Sequence, residues 1–475
     1  LTPLPRGFGV ALDRSLRSDG GGRRLLGGAP LRALLLSEAG AEALAALRAG
    51  RAESEPARLL ARRLIDAGMA HPRPPQSTAA GEVTVAVPVR DRPAMLDRCL
   101  TAIGGDVPVV VVDDGSRDAR ATAAVCDRHG ARLVTLDPGE GPASARNAAL
   151  AVARTELVAF LDSDCIPPPG WLGQLVGHFA DPVVGAVAPR IVPVSPAPAA
   201  SALASFATAR SPLDMGPEEG LVGPRRRVPY VPTAALLVRR RALEPAFDPT
   251  LQCGEDVDFV WRLHDAGWRI RYVPHVRVEH EEPPTWRGLL GRRFRYGRSA
   301  APLACRHPGR LAHLVLSPWP AAAAGLALAG RPRAAAAVTA AHALVLSRRL
   351  RGVGVAPSRA CAYAASAAGG TLVGVGHAAT MFAAPALLAA VVPRKTRLAA
   401  LVLLAAGPLK EWARTPPRLD PVRWTAACIA DDVAYGTGVW RGCVAHRTAE
   451  PLLPALLHLP TSCRAGECGR SMKNG

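Results

Sequence analysis

Leu157-Val-Ala-Phe-Leu161 runs straight into Asp162-Ser163-Asp164, and how that stretch folds decides the architecture. Five apolar residues in a row are too few for a helix and show no polar alternation, so they predict a strand buried on both faces. The C-terminal end of such a strand presents two carboxylates at the edge where an open α/β sheet keeps its site. Acids one residue apart at that edge suit a hard divalent cation, which takes oxygen ligands and is completed by water and substrate phosphate. An isolated Asp-x-Asp is more often a pair of solvated turn residues. The neighbouring segments choose between the two.

Upstream, Val83-Thr-Val-Ala-Val87 leads into Pro88-Val-Arg-Asp-Arg92 and a helix to about Ala102. Val109 to Val112 is a second buried strand, ending in Asp113-Asp114-Gly115-Ser116. A helix through 125–129, a strand Arg132-Leu-Val-Thr-Leu136, and Gly141-Pro-Ala-Ser-Ala-Arg-Asn147 opening a helix through Val152 complete the approach. Strands alternating with helices at this spacing predict a doubly wound, mostly parallel sheet. No strand is followed by G-x-G-x-x-G, which argues against a dinucleotide-binding protein. Downstream, 183–192 and 231–238 read as strands, 197–209 as a helix and 215–229 as an irregular loop. Phe247-Asp-Pro-Thr-Leu-Gln-Cys-Gly-Glu-Asp-Val-Asp258 leads a helix through Leu263, and 268–278 is a strand ending at Glu279-His280.

At 475 residues the chain has room for two to four domains. The 58 basic residues exceed the 39 acidic ones, for a net charge of +19, so nucleic acid must be considered as a partner. The arginines, however, are scattered through apolar sequence and form no basic arm, and nucleic-acid binding is not expected. Ten cysteines without a C-x-x-C pair indicate neither a zinc site nor a disulfide framework. A cytoplasmic location follows, at the inner face of the cell membrane if the C-terminal segments insert. No charged-then-apolar leader opens the chain, which points away from secretion.

Three parts are expected. Residues 1–76 form a small α+β unit: Phe8 to Leu12 and Arg24 to Leu26 as strands joined by a turn at Asp19 to Gly22, helical periodicity over 31–47 and 59–69, then Pro72-Arg-Pro-Pro75 as a linker. Residues 82–300 hold the sheet. Residues 301–475 form an Ala-rich helical region whose charge-free runs lie at 311–330, 334–347, 360–393 and 398–409. The first and third are long enough for a bilayer core of ~30 Å, which takes about 20 residues. Alanine, glycine and interrupting prolines leave insertion, peripheral association and a plain helical domain all open.

Three acidic strand ends, each about one βα unit apart, would converge on one edge of the sheet, where a nucleotide diphosphate lies. The order Val87-Pro-Val-Arg90, Val112-Asp-Asp-Gly-Ser116, Gly-x-Ala-x-Ala-Arg-Asn147, Leu161-Asp-Ser-Asp164 and Gly254-Glu-Asp256 closely resembles the family-two glycosyltransferases, inverting enzymes of the GT-A fold. The resemblance covers about 82–299. It implies that Pro88 to Arg92, with Arg90, Asp91 and Arg92, form the loop over the nucleobase of a UDP-sugar, with Asp113 and Asp114 binding uracil and ribose beside Gly115. Many relatives carry an aromatic where Arg90 stands; a guanidinium can also stack on a base. Arg146 and Asn147 are implied to contact the diphosphate or donor sugar, Asp162 ribose or metal, Asp164 the metal, and His280 a further metal position. The metal is expected to be Mn2+ or Mg2+. Asp256 is the expected catalytic base, because an inverting displacement needs one carboxylate beside the acceptor hydroxyl. Glu255 is expected to support it.

Gly7-Phe8, Tyr230-Val-Pro-Thr-Ala-Ala-Leu236, Cys253-Gly-Glu-Asp-Val-Asp-Phe-Val-Trp-Arg-Leu263, Arg293-Phe-Arg-Tyr-Gly-Arg-Ser299 and Asp431-Asp-Val-Ala-Tyr-Gly436 are similar to the mycofactocin-system glycosyltransferases over nearly the full length. That resemblance implies glucose transfer from UDP-glucose to a peptide-derived redox cofactor. The first unit resembles, more loosely, the winged-helix peptide-recognition modules of ribosomal-peptide maturation, and so implies docking of the acceptor or its precursor peptide. Two alternatives stand beside this: a membrane enzyme acting on lipid-linked or polysaccharide acceptors, and a catalytically silent peptide-docking protein.

Overall fold

The structure is a computed structural model and describes residues 2–18, 21–75, 82–198, 201–351, 355–414 and 417–457. Its centre is a nine-stranded sheet. From one edge the order is Cys165–Ile166, Arg269–Glu281, Val184–Val194, Ala235–Arg239, Leu157–Leu161, Val83–Val89, Val109–Asp114 and Arg132–Leu136, with Gly220–Leu221 paired outside this path. Four consecutive strands, from Leu157–Leu161 to Arg132–Leu136, run parallel. Ala235–Arg239 is antiparallel to both its neighbours.

All five residues of Leu157–Leu161 are buried. Their alternation divides the core: Leu157, Ala159 and Leu161 pack with Val83, Val85 and Val87 on one face, while Val158 and Phe160 pack with Ala86, Val110 and Val112 on the other. Burial on both faces is why the segment shows no polar alternation. The strand order reverses between Val83–Val89 and Leu157–Leu161, and in open α/β sheets a ligand crevice forms at the carboxyl ends beside such a reversal.

The first unit differs in detail from the sequence expectation. Gly9–Leu12 pairs with Ala70–Arg73, so the expected linker begins as a strand. The three-stranded element is Arg17–Ser18, Arg24–Gly27 and Arg32–Leu35, and helix begins only at Glu38, capped by Ser37. A short apolar run such as Arg32–Leu35 does not distinguish strand from helix by period alone. The turn residues Asp19 and Gly20 lie outside the described residues. The unit packs on the sheet through Arg62, whose Nη2 is 2.7 Å from Asp181 with both side chains buried, and through Asp66, which accepts from Arg269 at 2.7 and 2.6 Å.

The C-terminal region is helical from Trp286 to His446 with short interruptions. The run at 311–330 is not one helix: Val315–Leu316 is a strand paired with Ala455–Leu456, and the helix Pro318–Leu328 has 11 residues, too few to cross a bilayer core. Prolines at its first turn set where it starts. Among the described residues one helix, Pro357–Ala389, is long and apolar enough to cross a membrane; it breaks at Ala383, ahead of Pro385. The last long helix, Pro421–His446, lies against Trp286–Arg298 with the backbones in contact. A Cβ at Gly297 or Gly438 would collide with the Tyr435 or Phe294 carbonyl.

Candidate active site

A cavity of about 1020 Å³ opens at the carboxyl ends of Leu157–Leu161 and Arg269–Glu281. Of the residues singled out in the sequence, Arg92, Arg146, Asp162, Asp164, Glu255, Asp256 and His280 line it. They come from separate stretches that the sheet brings to one cavity, while the Asp113-Asp114 strand end lies outside it.

Gly254 opens the helix Glu255–Asp265 in the left-handed region, at φ 84°. A side chain there would also press on Leu303 and Ser299, at 2.9 and 3.0 Å from an added Cβ, so glycine answers two constraints at once. The helix start then separates two adjacent acids. Glu255 turns inward and accepts from Arg146 Nη1 at 2.7 Å. Asp256 faces the cavity with Oδ1 taking the Val257 N–H at 2.8 Å. Burial pushes the Asp256 carboxyl up to about 7; Glu255 adds to the rise and Arg146 opposes it. A carboxylate poised near neutrality suits a general base.

Arg146 is buried and bridges the site, donating to Glu255 and, from Nη2 at 2.9 Å, to Asp162 Oδ1. Burial alone would lower its pKa, but the Asp162 and Glu255 charges more than offset it and raise it instead. Phe247 lies against the guanidinium, 5.7 Å from the ring centroid. Asn147 does not reach the cavity. Its amide donates to the Phe247 carbonyl at 2.8 Å and accepts from the Phe247 N–H at 3.1 Å. Asn147 thus fixes the backbone of the ring that backs Arg146.

Asp164 pairs with Arg92, and its Oδ1 lies 3.6 Å from His280 Nε2. Antiparallel pairing of Cys165 with His280 sets that approach. Behind His280 stands a buried set not anticipated from sequence: Glu282 lies 3.7 Å from His280 Nδ1, pairs with Arg292 and accepts from Ser211 Oγ at 2.7 Å. Burial would lower the His280 pKa; the facing Glu282 and Asp164 carboxylates raise it overall. The visible signal was the Glu281-Glu282 pair directly after His280. Among the described residues no three His, Cys, Asp or Glu side chains are gathered into a ready metal cage. Asp164 and His280 still supply an oxygen and a nitrogen donor on one wall of the cavity. Two protein ligands completed by substrate phosphates are how Mg2+-type sites are commonly built, so the residues fit a cation that arrives with a diphosphate.

The residues implied to hold the nucleobase are close-knit but do not line this cavity. Asp113 Oδ1 accepts from Ser116 N at 2.9 Å. Asp114 takes the Glu140 and Gly141 amides at 2.6 and 2.9 Å. Asp91 accepts from the Arg117 amide at 2.8 Å and its own N–H donates to Ser116 Oγ at 2.9 Å; the Arg117 amide bond is the main reason its pKa is lowered. Gly115 brings its turn against Gly139, 2.6 Å from an added Cβ to the Gly139 nitrogen. Arg90 lies across this junction, Nη1 3.9 Å from Asp114 Oδ2, and Pro88 is the last but one residue of the strand Val83–Val89 that leads into it. These acids thus tie three loops together. Asp113 Oδ2 is a buried acceptor with no hydrogen-bond partner among the described residues.

The family model described as Glycosyl transferase family 2 matches residues 84–245, and the chain belongs to that family of glycosyltransferases. It is 38% identical across 475 aligned residues to the pre-mycofactocin glycosyltransferase of Mycobacterium tuberculosis, covering 96% of this chain and 99% of that protein, which places it among the pre-mycofactocin glycosyltransferases. It is also 28% identical over 231 residues to the glycosyltransferase AglE of Haloferax volcanii, 46% of this chain and 72% of the relative. Among solved structures, a mannosyltransferase from Pyrobaculum calidifontis in complex with GDP-Man and Mn2+ aligns at a TM-score of 0.37 and 20% identity, covering 72% of this chain and 91% of that one.

Proposed function

We propose that this enzyme moves glucose from UDP-glucose to a hydroxyl of a peptide-derived redox cofactor precursor by a single inverting displacement. The observation that carries the mechanism is Asp256, a carboxylate pushed up to about 7 and facing the same cavity as the acidic strand ends. Asp256 removes the acceptor O–H proton as the oxygen forms its bond to the anomeric carbon; the carbon–phosphate oxygen bond breaks and UDP departs with the electron pair. Glu255 holds Arg146, and Arg146 presents positive charge where the diphosphate lies. Asp164 and His280, with Asp162 beside them, would hold Mn2+ or Mg2+, which supplies charge neutralisation to the leaving group. Uridine sits over the Pro88 to Arg92 loop.

The first unit, residues 1–76, is proposed to dock the acceptor or its precursor peptide as a separate domain from the catalytic unit, 82–300. No described residue of this unit lines the cavity. Its anchors are Asp181 and Arg269, and Arg269 begins the strand Arg269–Glu281 at the end opposite His280, roughly 36 Å away at about 3.3 Å per strand residue. Docking of this kind recruits a substrate without shaping the chemical step. For the remainder, 301–475, association with the inner membrane face is favoured by one arrangement. Leu388, Val392, Leu398 and Leu401 are exposed, and Arg394, Lys395 and Arg397 stand among them at the start of the helix Arg394–Arg414, as expected for helices at an anionic bilayer.

Incubation with a panel of nucleotide sugars and Mn2+, followed by measurement of nucleoside-diphosphate release and product mass, tests the proposal. UDP-glucose consumed only with the peptide-derived acceptor supports it. Preference for another donor, or equal turnover after complete chelation, overturns the donor or the metal.

A further inference from the structure

Where the first unit packs on the sheet, the seam holds charge that its own ion pairs do not balance. Arg269 and Arg271 stand two residues apart on the strand Arg269–Glu281, so both side chains leave the sheet on one face. Arg269 reaches Asp66 of the first unit at 2.6 Å. Arg271 reaches Glu219 at 3.1 Å, but Arg73 takes the same carboxylate at 2.9 Å. With Arg62 on Asp181 at 2.7 Å, four guanidinium groups share three carboxylates. Arg226 adds to the excess and finds only the Asp66 carbonyl, at 3.2 Å. Arg271 is 2% exposed, so solvent does not screen it, and a buried cation short of counter-charge is costly.

Arg271 also leaves donors unused. Its Nε and Nη1 are buried and meet no hydrogen-bond partner among the described residues. His178, 3% exposed, leaves its Nδ1 in the same state. Both side chains line one small cavity in the seam, which leaves about 10 Å³ for the centre of a water-sized particle, room for a single small ligand. Leu4, Phe8 and Ile65 of the first unit cover it. Burial, with the Arg271 charge adding to it, holds the His178 pKa down at about 3, so the ring is neutral and carries one N–H.

We infer that this cavity binds one small monovalent anion of the halide class, held by Arg271 and His178, and that the anion fastens the first unit to the sheet. Donor count and charge favour an anion over water. A guanidinium only donates. The one carboxylate on the wall, Asp181, already accepts from Arg62 at 2.8 Å, so a water there would meet donors and find little to take its own protons. A monoanion accepts from every side and removes the surplus positive charge. The space is too small for a phosphate or an organic acid. None of these residues lines the catalytic cavity, so the inference is independent of the donor, the acceptor and the base. The hold of the first unit on the sheet thereby depends on halide concentration.

Two measurements on the full chain test this. Crystals of the wild type soaked in sodium bromide should show an anomalous scattering peak in the cavity, within hydrogen-bond distance of both Arg271 and His178. In urea unfolding, sodium chloride should stabilise the wild type more than sodium gluconate at equal ionic strength, because gluconate does not fit. The chloride effect should saturate: for a Kd of about 10 mM, the folded-to-unfolded ratio rises about 20-fold at about 0.2 M. His178→Phe keeps a ring in place and removes the N–H, and should weaken chloride binding roughly fivefold, the worth of one hydrogen bond. Water alone in the cavity of the bromide-soaked crystals would overturn the site without recourse to any variant. Equal responses to chloride and gluconate, or an undiminished chloride response in His178→Phe, would overturn it as well.

Discussion

Replacing Asp256 by Asn should trade activity for stability, and the exchange has a pH signature. The Asp256 carboxyl rises from 3.8 to about 7, with burial the main cause. At about 1.4 kcal/mol per pKa unit the ceiling on the cost of ionising it in the folded protein is roughly 4 kcal/mol. Its opening onto the cavity, and the Arg146 charge beside it, reduce this to on the order of 1–3 kcal/mol. Because the folded pKa lies above the unfolded one, stability from this group is complete below about 4, declines as pH rises, and is gone once pH passes about 7. Asn never ionises. The variant should therefore match the wild type near pH 4 and exceed it at pH 8 in urea unfolding. Turnover should fall by about 10²- to 10⁴-fold, the usual loss of a general base, while the wild-type rate climbs with pH through about 7 and then levels. Glu255→Gln should cost less turnover, since Glu255 acts through Arg146. A stability difference independent of pH, or a larger loss of turnover from Glu255→Gln than from Asp256→Asn, would refute the assignment.

Asp164→Asn should weaken UDP-glucose binding when Mn2+ is present and leave metal-free binding little changed, as read by calorimetry with and without chelator. Removing residues 1–81 should leave UDP binding intact because none of the described residues among them lines the cavity; it should lower the urea midpoint, because Asp181 loses Arg62 and stripping one partner from a buried pair costs about 3–5 kcal/mol. In the same truncated protein, transfer to the native acceptor should drop at low acceptor concentration, and undiminished transfer would reduce the first unit to an appendage. In flotation assays the full chain should rise with vesicles rich in phosphatidylglycerol, and less so at high salt; equal recovery with purely zwitterionic vesicles would remove the role of the helix-end arginines.

Much of the fold was legible because it rests on short-range signals. Leu157–Leu161 has no polar residue, and burial on both faces is the physical reason. The left-handed Gly254 ahead of Glu255 and Asp256 likewise marks a helix start that separates two acids. What was missed depends on long-range packing. Asn147 sits beside Arg146 in sequence, yet one helix position turns it from the cavity to the Phe247 backbone. Arg32–Leu35 was too short for its period to decide between strand and helix. The charge-free run at 311–330 gave no hint that Val315–Leu316 would pair with Ala455–Leu456. Tyr435 reaches the cavity on Pro421–His446, which glycines let press onto Trp286–Arg298, a contact with no local trace in either segment.

The most direct test of the central claim is the anomeric configuration of the product. UDP-glucose carries its sugar in the α configuration, and one displacement assisted by Asp256 inverts that carbon. Proton NMR of the first product formed from UDP-glucose, Mn2+ and the peptide-derived acceptor should show a β-linked glucose with the large coupling between H1 and H2 that this geometry gives. An α-linked product would contradict the single displacement and, with it, the role assigned to Asp256.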